Sequence, residues 1–260
     1  MTASHLERIY QFTKDVTRRQ ATRHTVLGPG VELLLNDDFP VSHVHNYVLA
    51  TDGAKPPDVL AGIRQLTSEG RHAHTHLVVD DAGTLAARLE QPLADEGMKR
   101  ENLEILLWTS DIDRPADPSV TVQEVTGQIL DTAVWSDWER DLPQAPPDTI
   151  RQLVERRSAL EKAVDTTHLA VLDADRVVSR ASVYHENGVG QIEDVNTQPD
   201  YQGRGYARAT VLAGVDLLRG LGCDLIFLEA DADDWPRELY FRLGFTHLAP
   251  LTTFTGIEPT

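Results

Sequence analysis

Gln202-Gly203-Arg204-Gly205-Tyr206-Ala207 stands between an apolar strand pattern, QIEDVNT (191–197), and a periodic helix in which Ala207, Val211, Val215 and Leu218 recur on one face. Two glycines within three residues let the backbone turn tightly and leave several N–H groups unobstructed at the positive end of that helix. Such a loop suits a phosphate or pyrophosphate. A dinucleotide fingerprint would require glycine at Arg208, and the nucleoside-triphosphate loop would require a GK[ST] that the stretch lacks, so the anion must be held in another way.

Working outward, the elements on both sides alternate. Downstream come a strand at DLIFLEA (224–230), a helix over 236–243 and a closing strand at HLAPLTTF (247–254). Asp233 or Asp234, before Trp235-Pro236, reads as the cap of that last helix. Upstream, THLAVLD (167–173) and RVVSRASVYHE (176–186) read as strands, and Asn187-Gly188 supplies the positive-φ pair of a tight hairpin. Before them lie a strand at VTVQEV (120–125) and a polar helical stretch over 128–164, broken at Pro143 and at Pro146-Pro147. The Asp- and Pro-rich run Ser110–Ser119 reads as a connector, which divides the chain into domains 1–114 and 115–260.

The first half opens with an amphipathic helix (Leu6, Ile9, Tyr10, Thr13, Val16). Strands follow at VELLL (31–35) and HVHNYVLAT (43–51), then a helix from Pro57 to Glu69, a strand at HTHLVVD (74–80), a helix over 83–96 and a strand at LEILLW (103–108). It ends in the same strand, helix, strand, helix, strand series as the second half, with Gly97-Met98 where the second half has Gly244-Phe245. The reading is a duplicated domain whose first copy has lost its glycine loop.

Composition bounds the function. The chain has 260 residues, a formal charge of −17 and one cysteine, Cys223. No internal disulfide can form, and neither a signal-peptide pattern nor a membrane-length apolar run is present, so the expected setting is the cytoplasm with no membrane partner. Residues 1–115 carry 12 basic and 17 acidic side chains, and 116–260 carry 12 and 24. Binding to a nucleic-acid backbone depends on Lys and Arg, so nucleic acid is not expected, and the field favours cationic ligands. Cys223, after Gly222, reads as a small buried residue at the start of a strand.

Taken in order, these features resemble the GNAT superfamily of acyl-CoA-dependent N-acyltransferases. Its Q/R-x-x-G-x-G/A signature is met by Gln202, Gly205 and Ala207, and its closing Y-x-x-x-G-F by Tyr240, Gly244 and Phe245. IEDV (192–195) looks like the family's fourth strand. The similarity covers about residues 118–255, and the tandem arrangement is similar to double-domain members such as mycothiol synthases. The resemblance implies an α/β fold of two GNAT-like domains, each a mixed, mostly antiparallel sheet flanked by helices. It also implies that acyl-CoA enters where the fourth and fifth strands splay. Its pantetheine would pair with the backbone at Val195, Asn196 and Thr197, and its pyrophosphate would lie on the amides of Gly203, Arg204, Gly205, Tyr206 and Ala207. Gln202 belongs to the same loop, and Arg204 and Arg208 would assist through their field.

Transfer of an acetyl group from acetyl-CoA to a primary amine needs a neutral amine, a stabilised oxyanion and a proton for the departing thiolate. The resemblance places Tyr240 beside the thioester sulfur as the acid. For the base, Glu193 comes first and Asp194 second; on a regular strand Glu193, Val195 and Thr197 share a face and Asp194 points away, and a bulge would reverse that parity. Trp135 and Trp138 lie where the family builds its acceptor pocket. No metal is expected: His43-x-His45 and His72-x-His74-x-His76 could share strand faces, but they lack cysteine partners and an assured fourth ligand. Two other readings stand beside the small-molecule enzyme: a non-catalytic acyl-CoA sensor or interaction module, and a transferase acting on a protein N-terminus or lysine.

Overall fold

In a computed structural model the described residues are 2–68, 74–80, 84–109 and 119–257. Contacts divide them into two compact units that interleave along the chain. One takes in Tyr10–Ile105, Asp231–Asp233 and the chain from Ala249; the other takes in the residues through Ile9, Leu106–Ala230 and Asp234–Leu248. The connector read at Ser110–Ser119 lies outside the described residues apart from Ser119 itself.

The elements of the first half are α1 (Thr2–Gln20), β1 (Arg23–Gly28), β2 (Val31–Leu35), β3 (Tyr47–Thr51), α2 (Pro56–Ser68), β4 (His74–Asp80), α3 (Thr84–Asp95) and β5 (Met98–Trp108). β1, β2 and β3 pair antiparallel in turn, β3 and β4 pair parallel, and β4 pairs antiparallel with Thr252–Ile257 near the chain's end. α2 and α3 bury Val59, Ile63, Leu66, Leu85 and Leu89 against Val31, Leu33, Val48 and Leu77 of the strands. Ile9, Phe12 and Val16 are the buried stripe of α1.

The second half continues with β6 (Gln123–Val125), α4 (Gly127–Asp141), α5 (Pro147–Glu155), α6 (Arg157–Ala163), β7 (Asp165–Asp173), β8 (Arg176–Glu186), β9 (Val189–Thr197), α7 (Tyr206–Gly220), β10 (Leu225–Asp231), α8 (Pro236–Leu243) and β11 (Phe245–Ile257). β6, β7, β8 and β9 run antiparallel, and β9 is followed by parallel β10. α7 packs Val211, Val215 and Leu218 on Ala181, Val183, Ile192 and Ile226. On a separate patch, α4 packs Leu130 and Ala133 on Ala170 and Val177. Each unit thus contains an antiparallel pair followed by a parallel neighbour, the mixed sheet with flanking helices implied by the resemblance.

Several details correct the sequence reading. β1 was not anticipated: its RHTVLG lacks apolar alternation and leaves Val26 exposed. The strand read from His43 begins only at Tyr47, because His43–His45 forms a 3-10 turn in which Asn46 donates to the carbonyls of Phe39 and Ser42. The last helix is capped by neither Asp233 nor Asp234; Trp235 is the flanking residue, and Asp234 accepts from its backbone N–H at 2.7 Å. β6 is shorter than VTVQEV. Cys223 is buried but precedes β10, and burial raises its thiol pKa. The Asn187-Gly188 hairpin has positive φ at both residues (51° and 78°), as that turn requires. The last helix spans 236–243 as the pattern put it, and β10 is displaced by one residue from the strand read at 224–230.

Close packing beneath β9 yields a stability prediction. A Cβ on Gly190 would meet Leu218 Cδ2 at 2.7 Å and Cδ1 at 2.9 Å, so Gly190→Ala forces α7 and β9 apart. The expected cost is about 1–3 kcal/mol, read as a lowered urea midpoint with an unchanged m-value.

Candidate active site

Three local features build the site. The first is the parting of two strands. β9 and β10 pair over Leu225–Val189, Ile226–Gly190 and Phe227–Gln191, and the ladder stops there although both strands continue. The second is a bulge. The β8–β9 register shifts between Ser182–Glu193 and Arg180–Asn196, and within the extra turn of chain Asp194 takes φ of +54°. An aspartate in the left-handed region is uncommon, and here it lets two successive carboxylates, Glu193 and Asp194, depart from simple alternation.

The third feature is the glycine loop. Gly203 and Gly205 have φ of +74° and +79°, and a Cβ on either would meet nothing within 4 Å. These glycines are present for conformation and access, not to relieve crowding. Gly205 immediately precedes α7, whose first N–H groups have no partners within the helix. Arg204 folds over the Tyr201 ring at 5.0 Å and donates to the Asp200 carbonyl, while Gln202 donates to the Thr197 carbonyl at 3.3 Å. Tyr206, Ala207 and Arg208 form the first turn of α7.

On the face of the sheet toward α4 and α5 lies a cavity of about 210 Å³, lined by Trp138, Asp141, Arg156, Ser182, Asp194 and Asn196 among others. Trp138 is on its wall and Trp135 is not. The Arg156 guanidinium lies over the Trp138 ring at 5.2 Å. Burial lowers the Arg156 pKa against the opposing pull of Asp194 and Glu193. Asp137, buried, accepts from Arg180, from Arg140 at 3.0 Å and from Gln198 at 2.9 Å.

Glu193 is exposed to solvent as a residue, while protein atoms crowd its carboxyl group. Burial and the neighbouring Asp194 charge raise its pKa to about 7, outweighing the hydrogen bond from Tyr184 and the field of Arg156, which favour the carboxylate. Tyr184 is fully enclosed, and burial next to the two carboxylates holds its phenol well above the ordinary tyrosine range. Tyr240 is buried in α8, edge-on to Phe245 at 6.0 Å, and burial with Asp234 pushes its pKa up to about 12. One group is thus poised to accept a proton near neutral pH and another to keep one.

Tyr184, Ser182, Arg180, Asp137 and Arg156 were missed by the sequence reading. The signal available was alternation in RVVSRASVYHE, which puts Arg180, Ser182 and Tyr184 on one face of a buried strand. Of the histidines weighed and set aside as metal ligands, His72 lies outside the described residues, and the side chain of His74 is not described. His43 and His45 are on a turn instead of a strand, and His43 packs edge-on to His76 at 5.2 Å. Among the described residues no group of three potential ligands could hold a metal ion.

Comparison with known proteins bears on the same residues. Residues 129–245 match the Acetyltransferase (GNAT) family. A mycothiol acetyltransferase of Rhodococcus jostii is 34% identical over 115 residues, 40% of this chain and 37% of that protein. Another, from Pseudarthrobacter chlorophenolicus, is 42% identical over 59 residues, 22% of this chain and 18% of its own length. These matches span well under half of the relatives they involve. In fold, the chain is similar to a GCN5-related N-acetyltransferase from Kribbella flavida (TM-score 0.64, 18% identity, 98% of this chain and 96% of that one). It is also similar to a tandem GNAT protein from the clavulanic acid biosynthesis pathway (TM-score 0.59, 16% identity, 88% and 79%). Signature loop, parted strands and profile match converge on one region, residues 129–245, which resembles an acetyltransferase domain of the GNAT family.

Proposed function

We propose that the protein transfers an acetyl group from acetyl-CoA to a primary amine of a small cationic molecule by direct attack on the thioester. The parting of β9 from β10 directly before Glu193 carries this reading. It leaves a slot beside an extended strand, with an anion-binding loop at one end and a carboxyl of pKa about 7 at its edge. The diphosphate would rest on the amides of residues 203–207, and the pantetheine arm along Val195–Thr197. The amine would enter the cavity beside Trp138, Asp141 and Asp194; Arg156, Arg157 and Arg180 share that lining, so it is the acidic balance of the chain that favours a cationic acceptor.

In this scheme Glu193 takes the proton of the attacking amine. The new bond is N–C(acyl); the bond that breaks is C–S. Tyr240, protonated throughout the physiological range, donates to the departing sulfur. Tyr240→Phe should lower kcat about tenfold or more and leave the CoA dissociation constant within twofold, because the ring and its packing on Phe245 are kept. Equal turnover would remove Tyr240 from the role.

A thiol-release screen of acetyl-CoA against monoamines, polyamines, aminoglycosides and peptides tests the whole reading. Release that depends on a cationic small amine supports it. Release with peptides alone would reassign the acceptor, and tight CoA binding without release across the panel would make the domain a sensor.

A further inference from the structure

His168, Ser182 and Glu193 occupy one row across the sheet. His168 is directly opposite Ser182 in the β7–β8 pair, and Ser182 is directly opposite Glu193 in the β8–β9 pair. Opposed residues of antiparallel strands share a face, with Cβ atoms roughly 4.5–5.5 Å apart. The bulge lies beyond this row, between the Ser182–Glu193 and Arg180–Asn196 pairs, so it leaves the row intact. His168 and Ser182 are buried, at 5% and 2% exposure, and polar side chains there must be bonded. They are bonded to one another: Ser182 Oγ and His168 Nδ1 are 2.8 Å apart, and His168 Nε2 is 2.9 Å from Glu161 Oε1.

The two ends of this chain open into different spaces. Ser182 lines the acceptor cavity, whereas His168 and Glu161 line a second cavity of about 550 Å³ with Glu124, Gly127 and Thr166. Glu161 is more than a third exposed there. Its carboxylate accepts the Nε2 hydrogen, which fixes the tautomer: Nδ1 is left as an acceptor and the Ser182 hydroxyl must donate to it. The serine lone pairs are then free to accept a proton from the Glu193 side.

We infer that Ser182, His168 and Glu161 form a proton relay that carries the proton lost by the acceptor amine from Glu193 to the second cavity. This rests on the reading of Glu193 as base. The amine N–H bond breaks as the Glu193 O–H bond forms. That proton passes to Ser182 Oγ through a water between them, while the Ser182 proton moves to His168 Nδ1. The Nε2 proton moves to Glu161, which releases it to solvent. One proton leaves Glu193 and one reaches solvent; His168, left with its hydrogen on Nδ1, regains the Nε2 tautomer by proton exchange through the second cavity before the next turnover. The route matters once both substrates fill slot and cavity, because solvent then no longer reaches Glu193 directly. The other charged groups around His168 are Arg157, whose Nε is 3.5 Å from Glu161, with Asp131 bound to the same guanidinium, and Glu124 on the wall of the second cavity.

The test uses the full chain, acetyl-CoA and whichever amine gives the fastest thiol release in the screen above. His168→Gln and Ser182→Ala should each lower kcat about tenfold in dilute buffer with the KM for acetyl-CoA unchanged. The double variant should be no slower than either single one. Raising the concentration of an imidazole buffer should restore most of the loss, and Ser182→Thr, which keeps a hydroxyl, should lose less than Ser182→Ala. Wild-type kcat in both single variants, or a loss that imidazole does not restore, overturns the relay. If those variants fail to fold, Glu161→Gln on the open side serves with the same readouts. Should Glu193→Gln keep full turnover, or should no amine release thiol, the base assignment itself falls, and the relay with it.

Discussion

Glu193→Gln is expected to lower kcat by about 10²–10³-fold and to flatten the pH profile, while CoA binding stays within twofold. The magnitude follows from what a positioned general base contributes, typically 10²–10⁴-fold. The direction in pH follows from the raised pKa of about 7. A base works only when ionised, so the wild-type kcat/KM should rise as pH increases through about 7, and one unit below that midpoint only roughly a tenth of the molecules carry the carboxylate. Glutamine keeps the size and can still accept from Tyr184 through its carbonyl oxygen, so the change removes proton acceptance and leaves the packing of β9 largely as it was. A stopped assay of kcat/KM between pH 5.5 and 9, in roughly half-unit steps, reads both effects. A rate that is unchanged and still rises through the same midpoint would pass the role to Asp194.

Gly205→Glu is expected to abolish CoA binding in a folded protein. The residue has φ of +79°, so any L side chain costs about 1–2 kcal/mol there, and a Cβ would clash with nothing. A negative charge next to the N-terminus of α7 recovers about 0.3–1 kcal/mol through the helix dipole, so the domain should remain folded. The same carboxylate would sit where a diphosphate is expected. Like charges about 4 Å apart repel by about 4 kcal/mol at a surface-like dielectric, near a thousandfold in affinity, before its bulk is counted. Calorimetry with CoA should show no heat, whereas Gly205→Ala, with strain and no charge, should weaken binding less than tenfold. Undiminished affinity in Gly205→Glu would place the cofactor elsewhere.

What could be read from the chain depended on how locally each feature was written. α7, α8, the Asn187-Gly188 hairpin and the glycine loop were legible because turn chemistry and periodicity act over a few residues. The same held for the common topology of the halves: Gly97 and Gly244 both end a helix at positive φ before a strand. β1 was not legible, because an exposed strand held mainly by its partner carries no apolar alternation. Nor was the helical look-alike of a strand at His43–His45, where Asn46 captures backbone carbonyls that a ladder would otherwise use. For the site, motif spacing pointed to Glu193, Tyr240 and the loop. The groups that surround Glu193, namely Tyr184, Arg156 and Ser182, come from elements distant in sequence, and only the register of β8 against β9 and the packing of α5 bring them together.

Asp137 has a mechanical meaning beyond its ion pairs. It belongs to α4, on the wall of the cavity beside Trp138, yet it also grips Gln198, the residue that leads from β9 toward the glycine loop, and Arg180 of β8. Wall, strand and loop are therefore joined at a single carboxylate. On the proposed reading, a guest that displaced α4 would pull on the loop meant for the other substrate, and thermodynamic reciprocity would require the second guest to act back on the first by the same factor.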